Sequence, residues 1–311
     1  MATSTVVRIV DASAKPFTPR VEAWRSSNGT AADLVSAMPD STPLQRHVVV
    51  EDADRSCVDL LSEDSGLSRS TVKDAMNKGA VWITRGRKTQ RLRRVKRRLR
   101  AGDELHLYFD AKVLAETAVE PELVDDGSCF SVWNKPYGLR SQGSKWGDHC
   151  TVVRCAERRL DRSALTVHRL DRAASGLMVL AHGRQSAAEL SRQFREREVT
   201  KRYRVRVHGT FPEESVFVDT PLDGKTANSR FHRVTINGDL SLVDVRIETG
   251  RKHQVRRHLA ELGFPVVGDR LYGRGHDGEP DLQLKAVELG FRHPQTGDAL
   301  TYRLEDSSWA N

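Results

Sequence analysis

No run of 18 apolar residues occurs in this chain of 311 residues, of which 38% are hydrophobic and 30% charged, so a membrane-spanning helix is excluded. Cysteine is scarce. Four residues, Cys57, Cys129, Cys150 and Cys155, are too few to staple a chain of this length and fit no zinc-binding spacing. That usage points to a reducing, cytoplasmic compartment and to a protein without a metal. The first residues, MATSTVVRIVDASAKPF, lack the apolar core of a secretory signal, and Asp11 argues against an acid-poor transit peptide, so the chain is expected to stay where it is made. Internal repeats are lacking too.

Acid is missing altogether from Arg85 to Arg100, where sixteen positions hold ten basic residues. The whole chain carries +8 (Lys+Arg 50, Asp+Glu 42), so without this stretch it would carry −2. The basic character is therefore local, as in a protein that binds a polyanion, although a solvated basic face or a basic arm would read the same way.

The length predicts two domains. Residues 1–47 show no sustained period and are read as an extension of uncertain order. From about Val48 the pattern sharpens. Gly66-Leu67-Ser68-Arg69-Ser70 precedes Val72, Ala75 and Met76, apolar at helical spacing, with Gly79 as a stop and Ala80–Ile83 as a strand. That strand runs into the basic stretch, which Ala101-Gly102-Asp103-Glu104-Leu105 closes. Over residues 48–110 this pattern resembles the S4 RNA-binding module, with Thr84-Arg85-Gly86 where an Asn-Gly turn is usual. The resemblance implies RNA contact by the basic run, with Arg93, Arg94, Arg97 and Arg98 as its candidates.

Residues 111–126 read as an acidic linker, and 127–311 as a larger domain. Ser186 and Glu189 are read as a capping box opening a helix with Ala187, Leu190 and Phe194 on its apolar stripe. Tyr203, Val205 and Val207 alternate with Arg202, Arg204 and Arg206, and Val243, Val245 and Ile247 mark a second alternating strand. In Thr166–Ala181 the second half is a continuous apolar run, expected as a strand buried on both faces. Its first half sets Asp171 among His168, Arg169 and Arg172. An aspartate among cations is ionised at neutral pH and available as nucleophile or base, or it is a turn cap held by a salt bridge.

The segment His168-Arg169-Leu170-Asp171-Arg172-Ala173-Ala174-Ser175-Gly176 resembles the catalytic motif of the RluA-type pseudouridine synthases. Three further segments stand in that family's order: Asn134-Lys135-Pro136-Tyr137-Gly138; Lys201-Arg202-Tyr203; and Thr249–Arg256 followed by Gly268-Asp269-Arg270-Leu271-Tyr272-Gly273. The resemblance spans about residues 128–305, with Ala174 where the family usually has Thr. It implies an α+β domain on a mixed, mostly antiparallel sheet, following a small S4-like α/β domain. It implies site-specific isomerisation of uridine to pseudouridine in structured RNA by a monomer that needs no cofactor; the extra RNA-binding module suits a large target and so favours ribosomal RNA, with transfer RNA as the alternative. Asp171 matches the catalytic aspartate, Tyr203 the aromatic residue against the uracil, and Arg256 the basic partner of the aspartate. Arg256 is expected at the edge of a helix whose buried stripe is Val255, Leu259 and Leu262. Arg169 is placed to fill the stack left by a flipped base. Arg251, Lys252 and Lys135 are further RNA contacts by position. His253 and His258, five apart, do not share a helical face as a metal pair would, and are expected as hydrogen-bonding scaffold. The rival reading is a non-catalytic RNA-binding or ribosome assembly factor that retains the fold.

Overall fold

The computed structural model describes residues 6–11, 42–273 and 280–305. The extension expected over 1–47 thus lies largely outside the described residues, but Val6–Asp11 forms strand β1 and Leu44–Val49 strand β2. The chain divides into two compact units, one of residues 17–118 with 142–154, the other of 1–16, 119–141 and 155–311. The smaller unit therefore takes residues 142–154 from within the stretch read as one larger domain.

In the smaller unit, α1 (Cys57–Ser65) and α2 (Arg69–Asn77) each begin at a serine whose hydroxyl accepts a backbone N–H, Ser56 from Asp59 and Ser68 from Thr71. Gly66 ends α1 in the left-handed conformation, φ 71°. The strands β3 (Val81–Arg85), β4 (Lys88–Arg91) and β5 (Glu104–Phe109) join β2 in an antiparallel sheet of order β2-β5-β3-β4. One face of it meets the helices. Val58, Leu61, Val72, Ala75, Met76, Ile83, Leu105 and Leu107 form the core between them, each burial contributing roughly 1.5–3 kcal/mol for a large side chain.

The stretch expected as a linker, 111–126, is structured: it holds α3 (Ala111–Ala115) and strand β6 (Glu122–Asp126). β6 is the outer strand at one end of the large sheet, and its polar side chains have partners there. Glu122 accepts from Asn134 at 3.1 Å and Asp125 from the Tyr302 hydroxyl at 2.6 Å. An edge strand can be this acidic because one side of it faces water.

The larger unit is built on one mixed, mostly antiparallel sheet of eleven strands. Its main path runs β11 (Val216–Val218), β12 (Ser229–Asn237), β13 (Leu240–Ile247), β10 (Thr200–His208), β14 (Leu284–Arg292), β9 (Ser175–Ala181), β7 (Phe130–Lys135), β6. Off this path β15 (Ala299–Glu305) pairs with β14 and, in parallel, with β1, and β8 (Leu165–Thr166) pairs with β9. As expected, β9 is buried along nearly its whole length. It lies antiparallel to β7 and parallel to β14. The helices α4 (Val152–Leu160), α5 (Arg184–Arg195) and α6 (Gln254–Glu261) complete the described elements.

The capping box read at Ser186 and Glu189 is not one. Helix α5 begins two residues earlier, with Gly183 as its N-cap and no side-chain cap; Ser186 is buried, and Glu189 accepts from Arg192 and Gln193 one turn on. The alternating strands are confirmed. Arg202 and Arg204 both donate to Asp244 at 3.0 Å on the face opposite Val205 and Val207.

Candidate active site

Asp171 follows the extended segment ahead of β9, and its backbone is held from both sides by residues 135–141. Ser141 Oγ donates to the Leu170 carbonyl at 2.7 Å and accepts from the Leu170 N–H at 3.0 Å. On the other side, Gly138 N–H donates to the Arg172 carbonyl at 3.0 Å, and Arg172 Nε donates back to the Gly138 carbonyl at 3.1 Å. Lys135 is fully buried and donates to the carbonyls of Pro136, Leu139 and Arg172 at 3.1, 2.8 and 3.2 Å. Burial pushes its pKa down to about 7 and Arg172 adds to this, while Asp171 opposes. Three carbonyl acceptors use all three ammonium protons, so the hydrogen bonds favour the charged form. Its place in the sequence suggested an RNA contact; the structure places it in the scaffold under Asp171, with no donor left for phosphate.

Arg256 is buried as well, not at a helix edge as its angle from the apolar stripe suggested. The reason is a carboxylate. Asp269, itself buried, accepts two hydrogen bonds from Arg256, at 2.7 Å from Nε and 2.6 Å from Nη2. A planar guanidinium gripped on two nitrogens is fixed in direction. Its remaining nitrogen, Nη1, lies 3.8 Å from the Asp171 carboxylate. Burial disfavours the Arg256 charge, but the Asp269 hydrogen bonds and the charges of Asp269 and Asp171 outweigh it and raise its pKa. Asp269 also accepts the N–H groups of Leu271 and Tyr272 at 2.9 and 3.0 Å. Despite its burial, these partners hold its pKa below the usual carboxylate value. Asp269 stood in a quoted motif without a role; the glycine before it was the available signal. Gly268 has φ 77°, and a side chain there would meet the Pro280 carbonyl oxygen at 2.3 Å.

His253 was expected as scaffold, and His258 is that: buried, with its ring nitrogens on Ser229 and the Thr220 carbonyl. His253 stands at the site instead. It enters α6 in the left-handed conformation, φ 56° and ψ 28°. This aims Nε2 to 3.8 Å from Asp171 and Nδ1 to 3.0 Å from the Tyr272 hydroxyl. Burial lowers its pKa, with the Asp171 charge opposing. Asp171 therefore faces one fixed cation and one imidazole.

Tyr203 lies on β10 beside a break in the ladder. Arg202 pairs with Glu288 and Tyr203 with Ala286, so Val287 is an extra residue on β14. Such a bulge turns the side chains around it. Burial, helped by the Asp171 charge, raises the Tyr203 pKa, which keeps its hydroxyl protonated near that carboxylate. Arg169 is exposed two residues before Asp171. Arg251 gives its Nε to the Thr226 carbonyl at 2.9 Å, and Lys252 is exposed. Ala174, the departure from the usual motif, is buried, and its N–H donates to the Asp171 carbonyl at 3.2 Å.

Arg93, Arg94, Arg97 and Arg98 belong to the smaller unit. Arg93 is committed there, to the Asp148 carboxylate and the Asn77 carbonyl. Arg94 and Arg98 are exposed, and Arg97 is half-buried.

Comparison with known proteins gives the family of the chain. The family described as RNA pseudouridylate synthase matches residues 130–261. The dual-specificity RNA pseudouridine synthase RluA of Escherichia coli K12 is 36% identical over 190 residues, covering 55% of this chain and 87% of that protein. An uncharacterized RNA pseudouridine synthase of Aquifex aeolicus is 28% identical over 277 residues, 77% of this chain and 86% of that one. Among solved structures, human RNA pseudouridylate synthase domain containing 1 superposes with a TM-score of 0.52 at 25% identity, over 61% of this chain and 86% of that chain. The chain belongs to the RluA-type RNA pseudouridine synthases, and is an isomerase.

Proposed function

We propose that Asp171 carries out the isomerisation of uridine to pseudouridine in RNA, with Arg256 and His253 orienting its carboxylate and Tyr203 against the uracil. The reaction breaks the C1′–N1 bond, turns the base and joins C1′ to C5, whose hydrogen leaves as a proton while the freed N1 takes one up. No electrons are gained or lost. The observation that carries this reading is the carboxylate of Asp171, fixed through both flanking peptides and 3.8 Å from a buried guanidinium. Arg256 holds the carboxylate without quenching it, because its two strong hydrogen bonds go to Asp269. Tyr203 offers a flat face for the turning base and a hydroxyl that stays protonated. A uridine inside structured RNA reaches this carboxylate only if flipped out, and exposed Arg169 is placed to fill the gap in the stack.

The substrate we assign is ribosomal RNA. A second RNA-binding unit suits a large structured target, and the S4-like reading of residues 48–110 supplies one, with exposed Arg94 and Arg98 at hand for phosphate. Arg251 and Lys252 add cations next to the site. A cytoplasmic location fits four buried cysteines that form no disulfide.

Asp171→Asn tests the assignment. The change is nearly isosteric, so RNA binding should persist while tritium release from RNA labelled at uridine C5 vanishes. Release at the wild-type rate would show that Asp171 is not the reacting group; binding without release by the wild-type protein would favour the assembly-factor reading. Carbodiimide-arrested reverse transcription in a strain lacking this protein then identifies the RNA. A pseudouridine lost from transfer RNA alone would overturn the ribosomal assignment.

A further inference from the structure

In the smaller unit, β2 and β5 place His47 directly opposite His106. Glu104 lies two residues before His106 on β5 and so shares its face of the sheet. His47 Nε2 is 3.2 Å and His106 Nε2 4.0 Å from Glu104 Oε2, and the three potential ligand atoms all lie within 4.8 Å of one another. Thr84, opposite Glu104 on β3, has its hydroxyl 2.8 Å from His106 Nε2. We propose that His47, His106 and Glu104 form a binding site for a divalent transition metal, zinc by preference, separate from the isomerisation site.

Two imidazole nitrogens and one carboxylate oxygen match the donors that zinc takes, at bond lengths of about 2.0–2.2 Å, with a fourth position left to water. Magnesium and calcium are disfavoured, since they seek oxygen ligands in larger number. Tetrahedral ligands at those bond lengths stand roughly 3.4 Å apart. The pair at 3.2 Å already meets this and the pair at 4.0 Å nearly does. The two rings are now stacked, 4.7 Å between centroids and 8° between planes. They must tilt toward a shared ion, a rotation about the soft outer torsion of histidine that leaves the backbone in place. The Thr84 hydroxyl, now on His106 Nε2 at 2.8 Å, gives up that contact when the nitrogen takes the ion and keeps its other one, to the Thr89 hydroxyl. His47 and Glu104 are 57 residues apart in the chain, which is why no spacing motif announces the site. Its effect would be to clip the edge strand β2 to β5.

The test uses full-length protein without an affinity tag. Zinc is titrated against a competing chelator, and bound metal is counted after dialysis. One zinc per chain is expected, with affinity falling at least about tenfold in each of His47→Gln, His106→Gln and Glu104→Gln. Zinc should raise the Tm of the wild type and leave that of His47→Gln unmoved. Since His47 is exposed, His47→Gln should match the wild type in Tm and circular dichroism in the presence of EDTA, which separates loss of ligand from loss of fold. No zinc bound by the wild type, or the same affinity in all three variants, overturns the site.

Discussion

His168 illustrates how a residue in the most telling motif can serve packing. Its ring stacks on Phe194, 4.4 Å between centroids, and its Nε2 accepts the N–H of Val179 at 3.0 Å, which fixes the neutral tautomer. Burial, with Lys201 nearby, pushes its pKa down from the ordinary 6.5 to about 3. Between those values the unfolded chain binds a proton that the folded chain refuses, so stability falls as pH falls from about 6.5 toward 3. The slope contributed is up to about 1.4 kcal/mol per pH unit. His168→Gln keeps an acceptor and removes the titration, so its unfolding free energy should vary less steeply with pH in this window; an unchanged slope would show that His168 is protonated in the folded state. Asp171, Tyr203 and Arg256, the residues of the proposed site, were singled out in the sequence because the motifs carry them as local strings. What the string lacks is the partner: Asp269 lies thirteen residues from Arg256, and only burial makes their pairing compulsory, since an unpaired buried guanidinium is costly.

Among the elements, the strands were the most readable. The apolar run of β9 and the alternation of β10 and β13 follow from burial on two faces or one, a property the sequence carries locally. Helix α5 was misplaced because Ser-x-x-Glu also occurs inside helices, and β6 was missed because an edge strand tolerates acid. The join of β9 to β14 is likewise unreadable in advance, for it rests on one glycine. Gly176 has φ 106°, and a Cβ there would lie 2.2 Å from the oxygen and 2.5 Å from the nitrogen of Ala286, its partner across the parallel pair. Gly176→Ala should therefore force β9 off β14 and lower stability by on the order of 3 kcal/mol, seen as a lower urea midpoint with unchanged slope. Turnover should fall with it, because the Asp171 segment enters β9 just ahead of this contact. A loss below about 1 kcal/mol would mean that the two strands separate freely at this point.

At the scale of the molecule the charge matters more than its total of +8 suggests, because it is concentrated and only partly neutralised. Within Arg85–Arg100, Arg85 is bound to Asp103, and Arg91 and Arg93 to Asp148, so these three act as struts of the smaller unit. Arg87, Lys88, Arg94, Lys96, Arg98 and Arg100 are exposed. If the run holds RNA, those exposed cations release counterions from phosphate, each contact adding about 0.7 to the slope of log affinity against log salt for single strands. Replacing Arg94, Lys96, Arg98 and Arg100 together by Ser should flatten that slope by up to about 3 and weaken binding most at low salt, with the fold intact. Arg93→Ser should do the reverse: it leaves Asp148 without one of its two arginines, so thermal stability falls while the salt slope hardly moves. Measured by filter binding across a salt series beside a melting curve for each protein, the two variants separate contact from support. An unchanged slope in the fourfold variant would make the basic run a solvated face and leave RNA binding to the cations near Asp171.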